Sequence, residues 1–391
     1  MVQGNIRETM FSTLVIDTYC SLLQQALGFS TSDMLTGSTL NAVDMGSLIH
    51  LAQIQGTAPL VYDQLLKADS PLSNEVQMQL KQVCMQNMMG YEQLLSLFKQ
   101  TWNGLVSGGV QPVVLKGFGL ASLYPIPYLR SWGDLDIYAG PEQYHQAAAI
   151  LRQVFPHAEH PSQELETVKH YNFDMPEGVV EMHRTAIVLP HPCDNKYCWK
   201  LEHQAMNPAN VQWVEIEDVR FAIPEAKFNL LFTFLHAWEH FVESGVGMKQ
   251  LCDLALLAHH TYNQQSISSY MRKHLRRLGL YEPWQLIGYV CVTALGLPKS
   301  EWPLYEEGGA RLQAQRERFL TQVMTNGLTP RPQSEEDNNQ HLNYFARKWK
   351  TLSMRFAKAR LVAPYSPHYA RHMVASTIAK GLHRLFISEE Q

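Results

Sequence analysis

No apolar run in this 391-residue chain is long enough to span a bilayer as a helix. The longest, Leu286 to Leu297, has twelve residues, whereas a spanning helix needs about twenty. The opening residues, Met1 to Arg7, lack the basic start and apolar core of a secretory signal. No membrane partner and a cytoplasmic location are therefore expected. The six cysteines (Cys20, Cys84, Cys193, Cys198, Cys252 and Cys291) show no disulfide-framework spacing. His191-x-Cys193-x₄-Cys198 comes near a zinc-site spacing, but no second Cys or His pair follows at the usual distance. A loop with incidental thiols is the expectation there. A net charge of −4 gives no global drive toward nucleic acid. From His341 to Gln391 nine Lys or Arg stand against two Glu. A solvated helical face explains that excess, so nucleic acid is not favoured as a partner. Internal repeats and low-complexity tracts are also missing.

What is present is ample core material, 46% hydrophobic residues, over a length that suits two or three domains or one core with large helical additions. Residues 13–108 read mostly as amphipathic helices. Their methionines Met78, Met85, Met88 and Met89 are expected to be core filler. Gly108-Gly109 breaks the last helix, and Val110 to Leu115 opens a strand-rich stretch. Pro141 to Val154 reads as a helix. Glu166–Met175 and Val179–Val188 read as a strand pair around the turn Pro176-Glu177-Gly178. Trp213 to Ala222 alternates as a last strand or hairpin. Pro224-Glu225 starts a helix, and the remainder is helical. The polar stretch Gly327 to Gln340 is the best linker candidate.

The chemistry concentrates in the middle. Leu115-Lys116-Gly117-Phe118-Gly119 reads as a strand end and a glycine turn into a short helix, and Asp134-Leu135-Asp136-Ile137-Tyr138 as a strand with two carboxylates. Side chains alternate across a strand, so Asp134 and Asp136 share a face. Close carboxylates repel unless a cation lies between them, and hard divalent ions take such oxygens while bridging to phosphates. Glu181 and His183 alternate onto one face of a second strand, from which Glu181 can join the pair. Three acids suffice to anchor two metals around a triphosphate.

Lys116, ending an apolar run, needs an anion or solvent for its amine, and a phosphate contact is chosen over snorkelling. Gly117 and Gly119 would let backbone N–H groups approach phosphate, although a simple turn uses the same residues. Arg130 either holds a triphosphate, pairs with Asp134 or Glu181, or sits in solvent. His183 contacts substrate or orients a carboxylate. His236 and His240 share a helix face at i and i+4. With Asp253 they define a phosphohydrolase alternative.

Lys116-Gly117, Tyr124-Pro125, Arg130, Asp134-x-Asp136 and Glu181-x-His183, in that order, resemble the uncharacterised bacterial nucleotidyltransferases of the DNA polymerase beta superfamily. The resemblance continues through His236, His240, Gly247 and Asp253. Where that superfamily usually carries Gly-Ser or Gly-Gly, this chain has Lys116-Gly117, a form shared by the family. The resemblance implies an α+β fold: a nucleotidyltransferase-like mixed-sheet core at 109–223 between helical regions at 1–108 and 224–391. It implies transfer of a nucleoside monophosphate from an NTP to an unknown acceptor hydroxyl. Asp134, Asp136 and Glu181 would hold two Mg²⁺ ions, with Mn²⁺ the alternative, and Lys116, Gly117, Gly119, Arg130 and His183 would meet substrate. A non-catalytic nucleotide- or partner-binding protein on the same fold is the rival reading.

Overall fold

The computed structural model describes residues 11–30, 37–68, 72–159, 169–327 and 344–387. Five helices come first: α1 (Thr13–Ala26), α2 (Gly37–Ala42), α3 (Met45–Ile54), α4 (Ala58–Lys67) and α5 (Asn74–Ser107). Side-chain caps start three of them, since Ser12, Asp44 and Ser73 each accept a backbone N–H of the first turn. In α5 the buried positions are Leu80, Tyr91, Leu94, Leu95, Leu97, Phe98, Thr101, Trp102 and Leu105. Met78, Met85, Met88 and Met89 are exposed, which corrects the core-filler expectation. The leucine and aromatic stripe already fills the buried face of α5, and the methionines fall on the other.

The sheet follows. Strand β1 (Val113–Val114) leads into the one-turn helix α6 (Phe118–Ala121), then β2 (Leu135–Tyr138), helix α7 (Gly140–Val154), and the hairpin strands β3 (His170–Met175) and β4 (Gly178–His183). Their order is β1-β2-β4-β3, with β2 and β4 parallel and the other pairs antiparallel. Helix α7 supplies the crossover that a parallel pair requires. Both strand ends of the expected pair are shorter than the sequence reading. Part of Glu166–Met175 lies outside the described residues, and β4 stops at His183.

The segment after His191 is a helix, α8 (Pro192–Ala205), not a loop. Pro192 suits the first helical turn, and Cys198, Glu202 and Ala205 form its buried stripe while Cys193 is exposed. A separate hairpin follows, β5 (Gln212–Ile216) and β6 (Val219–Ile223). Four helices follow, α9 (Ala226–Glu243), α10 (Met248–Thr261), α11 (Ile267–Leu278) and α12 (Tyr281–Thr293), of which α9 and α10 line the site. Helix α13 (Ala310–Asn326) and the helices Tyr344–Val362 and Pro367–Ile387 complete the described chain. The proposed linker 327–340 falls, apart from Gly327, outside the described residues. No helix among those described is long and apolar enough to cross a membrane. The architecture is α+β, a small mixed sheet flanked by helices on both sides.

One apolar core joins these parts. Phe118 stacks on Phe98 of α5 at 4.9 Å between ring centroids, and Phe221 of β6 meets Phe98 edge-on at 5.0 Å. The turn after β1 is therefore seated on the N-terminal helices, which fixes where Lys116 and Gly117 point.

Candidate active site

Leu115 donates its amide to the carbonyl of Asp136 at 3.0 Å, tying the end of β1 to the acid strand. The next residue, Lys116, thereby lies beside Asp136, with Nζ 2.8 Å from Oδ1. Gly117 turns the chain at φ +55° and ψ −114°, a conformation costly for any residue with a Cβ. Gly119 serves packing: its amide donates to the Lys116 carbonyl at 3.0 Å, and an added Cβ would lie 3.0 Å from Ile223 Cγ2. Its N–H is committed inside the turn, so the expected phosphate contact from Gly119 is not available in this geometry.

The parallel register aligns Asp136 with Glu181 and Tyr138 with His183. Strand alternation gives all four one sheet face. Asp134 precedes the strand and is exposed at the mouth of the site. His183 is buried between the carboxylates, its Nε2 3.0 Å from Asp136 Oδ1 and 3.4 Å from Glu181 Oε2. It therefore orients the acids, and a direct substrate contact is not what its position offers. His170 of β3 adds Nδ1 at 3.7 Å from Glu181.

The carboxyls are electrostatically unequal. Burial pushes Asp136 up, but the Lys116 ammonium and the His183 hydrogen bond outweigh it and hold the group well below the usual range. Glu181 is likewise lowered, because the His183 hydrogen bond overcomes burial. Asp134 moves the other way: partial desolvation at the mouth and the charges of Glu181 and Asp136 raise it. His183 is raised, its two carboxylate partners outweighing desolvation.

Opposite the acids, α9 and α10 close a cavity of about 270 Å³. His236 Nε2 lies 3.1 Å from Lys116 Nζ and 3.1 Å from His240 Nε2. Burial first, then Lys116, keeps both imidazoles below their ordinary pKa, so they are neutral at pH 7. Lys249 also lines the cavity, its pKa lowered to about 7 by burial and the nearby Arg130. Arg130 lines the same wall but is committed. Its Nε and Nη2 meet Asp253 Oδ1 and Oδ2 at 2.8 and 2.9 Å, and Tyr124 donates to Oδ1 at 2.8 Å. Arg130 is thus held in a structural ion pair, with Asp253 as its partner rather than the expected Asp134 or Glu181.

A family described as uncharacterised nucleotidyltransferases matches residues 41–296, more than half of the 391 residues. The chain belongs to this family. No curated protein and no solved structure matches it. The family makes the chain a nucleotidyltransferase in general class, and its matched span holds every residue of the cavity.

Within this nucleotidyltransferase the sheet brings Asp136, Glu181 and His183 together, and Asp134, Lys116 and Gly117 border the same space. Among the described residues His170, Glu181 and His183 bring ligand atoms within 4.8 Å of one another, and so do His191, Asp194 and His372. His236, His240 and Asp253 do not form such a group. With both Asp253 oxygens already bonded, the phosphohydrolase site is not assembled. The sequence reading missed Lys249. Its signal was a lysine in the first turn of α10, where the helix dipole disfavours a cation.

Proposed function

We propose that this nucleotidyltransferase moves a nucleoside monophosphate from an NTP to an acceptor hydroxyl with Mg²⁺ as cofactor, Mn²⁺ being the alternative. The observation that carries the reading is the register pair Asp136–Glu181 with Asp134 beside it. Asp134 and Asp136 line a cavity together with Lys116 and Lys249, and Glu181 stands beside Asp136 in the strand register. The donor set fits hard divalent ions: Glu181 and Asp136 are held ionised, and Asp134 is raised by desolvation and by the charges of Glu181 and Asp136. Such an ion would neutralise phosphate charge and favour deprotonation of the attacking hydroxyl.

Asp134, Asp136 and Glu181 are the residues that would hold two such ions. Lys116 rests on Asp136 at 2.8 Å and is placed to swing onto a phosphate oxygen when Asp136 takes another partner. Gly117 and Lys249 border the phosphate space, while Arg130 shapes it through Asp253. The acceptor oxygen bonds to Pα, the bond from Pα to the bridging oxygen of Pβ breaks, and pyrophosphate leaves. The hydroxyl proton passes to solvent or to Glu181.

Calorimetric titration of each NTP with and without Mg²⁺, on wild type and on Asp134→Ala/Asp136→Ala, tests the proposal. Metal-dependent binding that disappears in the double variant is expected. Unchanged binding in that variant defeats the assignment of the acids. Binding in wild type with no pyrophosphate released to any acceptor would favour the non-catalytic rival.

A further inference from the structure

The sheet face that carries the acids does not end at His183. Tyr138 shares the Asp136 face of β2 and is paired with His183, roughly 6.6 Å further along the strand. Beyond it opens a second cavity of about 820 Å³, three times the volume of the first. Its floor is apolar, from Tyr138, Val188 and Trp199, and both Val188 and Trp199 are unusually exposed for their size, at 40% and 44%. Trp199 is nevertheless fixed, because its Nε1 donates to the Ile187 carbonyl at 3.2 Å.

Cations ring this floor. Lys169, Arg184, Lys196 and Lys200 all line it. Among the described residues Lys196 and Lys200 make no ion pair; α8 carries Lys196 one turn before Trp199 and Lys200 directly after it. Lys169 stands between the two cavities: its Nζ lies 3.5 Å from Glu239 of α9, and its charge reaches His236 and His240. The acid lining this space, Glu202, is turned inward, its Oε2 accepting the amides of Ala186 and Ile187 at 2.9 and 3.3 Å. An immobilised indole beside several ammonium groups favours a ring with a negative substituent, through stacking and charge-assisted hydrogen bonds.

We propose that this cavity is the acceptor subsite and that the acceptor is a small aromatic molecule bearing an anionic group. This rests on the nucleotidyltransferase reading above. The phosphate-side groups Lys116 and Gly117 follow β1, on one flank of the acid pair, whereas the cavity lies past the C-terminal ends of β2 and β4. Glu181 and His183 lie between them on the shared face. An acceptor seated on Trp199 therefore approaches the acids from the side opposite the turn that would hold the triphosphate.

The test is titration of the full chain with 1-naphthyl phosphate, with 1-naphthol and inorganic phosphate as controls. Saturable binding of 1-naphthyl phosphate is expected, at least tenfold tighter than either control. It should weaken at least tenfold in Trp199→Ala and in Lys196→Glu/Lys200→Glu, both changes on exposed side chains. A saturating Mg²⁺ complex of a non-hydrolysable ATP analogue should leave the affinity within twofold, because donor and acceptor must be bound together. No binding, equal binding of 1-naphthol, or indifference to the variants overturns the proposal. So does displacement by the nucleotide, which would assign the cavity to the base. Nucleotide binding on Asp134→Ala/Asp136→Ala is read separately, so failure of the donor site leaves a distinct signature from failure of this one.

Discussion

Asp134 and Asp136 are two residues apart yet are pushed in opposite directions, because desolvation and the neighbouring carboxylates prevail at Asp134 while the Lys116 charge and the His183 hydrogen bond prevail at Asp136. Asp134 is the carboxyl that stays raised despite Lys116 and Lys249, so it should gain most from a divalent ion. Asp134→Ala is expected to lower transfer by at least about a hundredfold, beyond the usual effect of losing an outer-shell partner, with little change in thermal midpoint. A steady-state pyrophosphate assay beside a melting curve checks this, and retained activity counts against the metal role. Lys249 makes a second case. Its pKa falls from 10.5 to about 7 on folding, so between those values the unfolded chain binds more protons. Its contribution therefore makes stability rise with pH from about 7 toward 10.5. Binding runs the other way, since the ammonium that attracts phosphate is lost above about 7. Nucleotide affinity should fall as pH rises through that range in wild type, and Lys249→Met should flatten the profile. Parallel profiles would remove Lys249 from the phosphate site.

Among the elements, the turn between β1 and α6 and the buried Arg130–Asp253 pair set the geometry. Gly117 has a positive φ with a strongly negative ψ. Gly117→Ala should cost about 1–3 kcal/mol in backbone strain, read as a lower denaturant midpoint, and should weaken nucleotide binding further by moving Lys116. An unchanged midpoint would show that the turn relaxes. Asp253 joins α10 to Arg130 and Tyr124 through three hydrogen bonds. Removing one partner from a buried ion pair costs about 3–5 kcal/mol, so Asp253→Ala should be among the most destabilising substitutions here. If Asp253→Ala folded normally but lost phosphate release, the phosphohydrolase reading would return.

At the scale of the whole molecule, the described residues share one apolar core around the sheet. The β1–α6 turn rests on Phe98, which also meets Phe221, and the cavity needs α9 and α10 for its second wall. We keep the division at 109–223 as a description of where the strands lie, and propose that this span cannot fold alone. Expressed by itself, it is expected to lack dispersed amide resonances and a cooperative melt. A fragment with a sharp transition would show an independent domain.

Much of the site was readable because local pattern rules fix it. The Lys-Gly turn and the alternation of Glu181 with His183 determine which side chains meet, and Asp136, Tyr138, Glu181 and His183 do share one face of β2 and β4, while Asp134 lies just before the strand. The long helices followed from periodicity, and the α+β character from the family resemblance. Tertiary structure alone decided which charges meet. Asp253 reaches Arg130 across 123 positions and His236 reaches Lys116 across 120, and no local period encodes a contact at that range. The same holds for Lys249, whose ionisation is set by burial beneath Arg130, and for the exposed methionines of α5, whose stripe is polar or apolar only relative to what packs on it. Spacing chose the chemistry of the acid strands, and packing chose their partners.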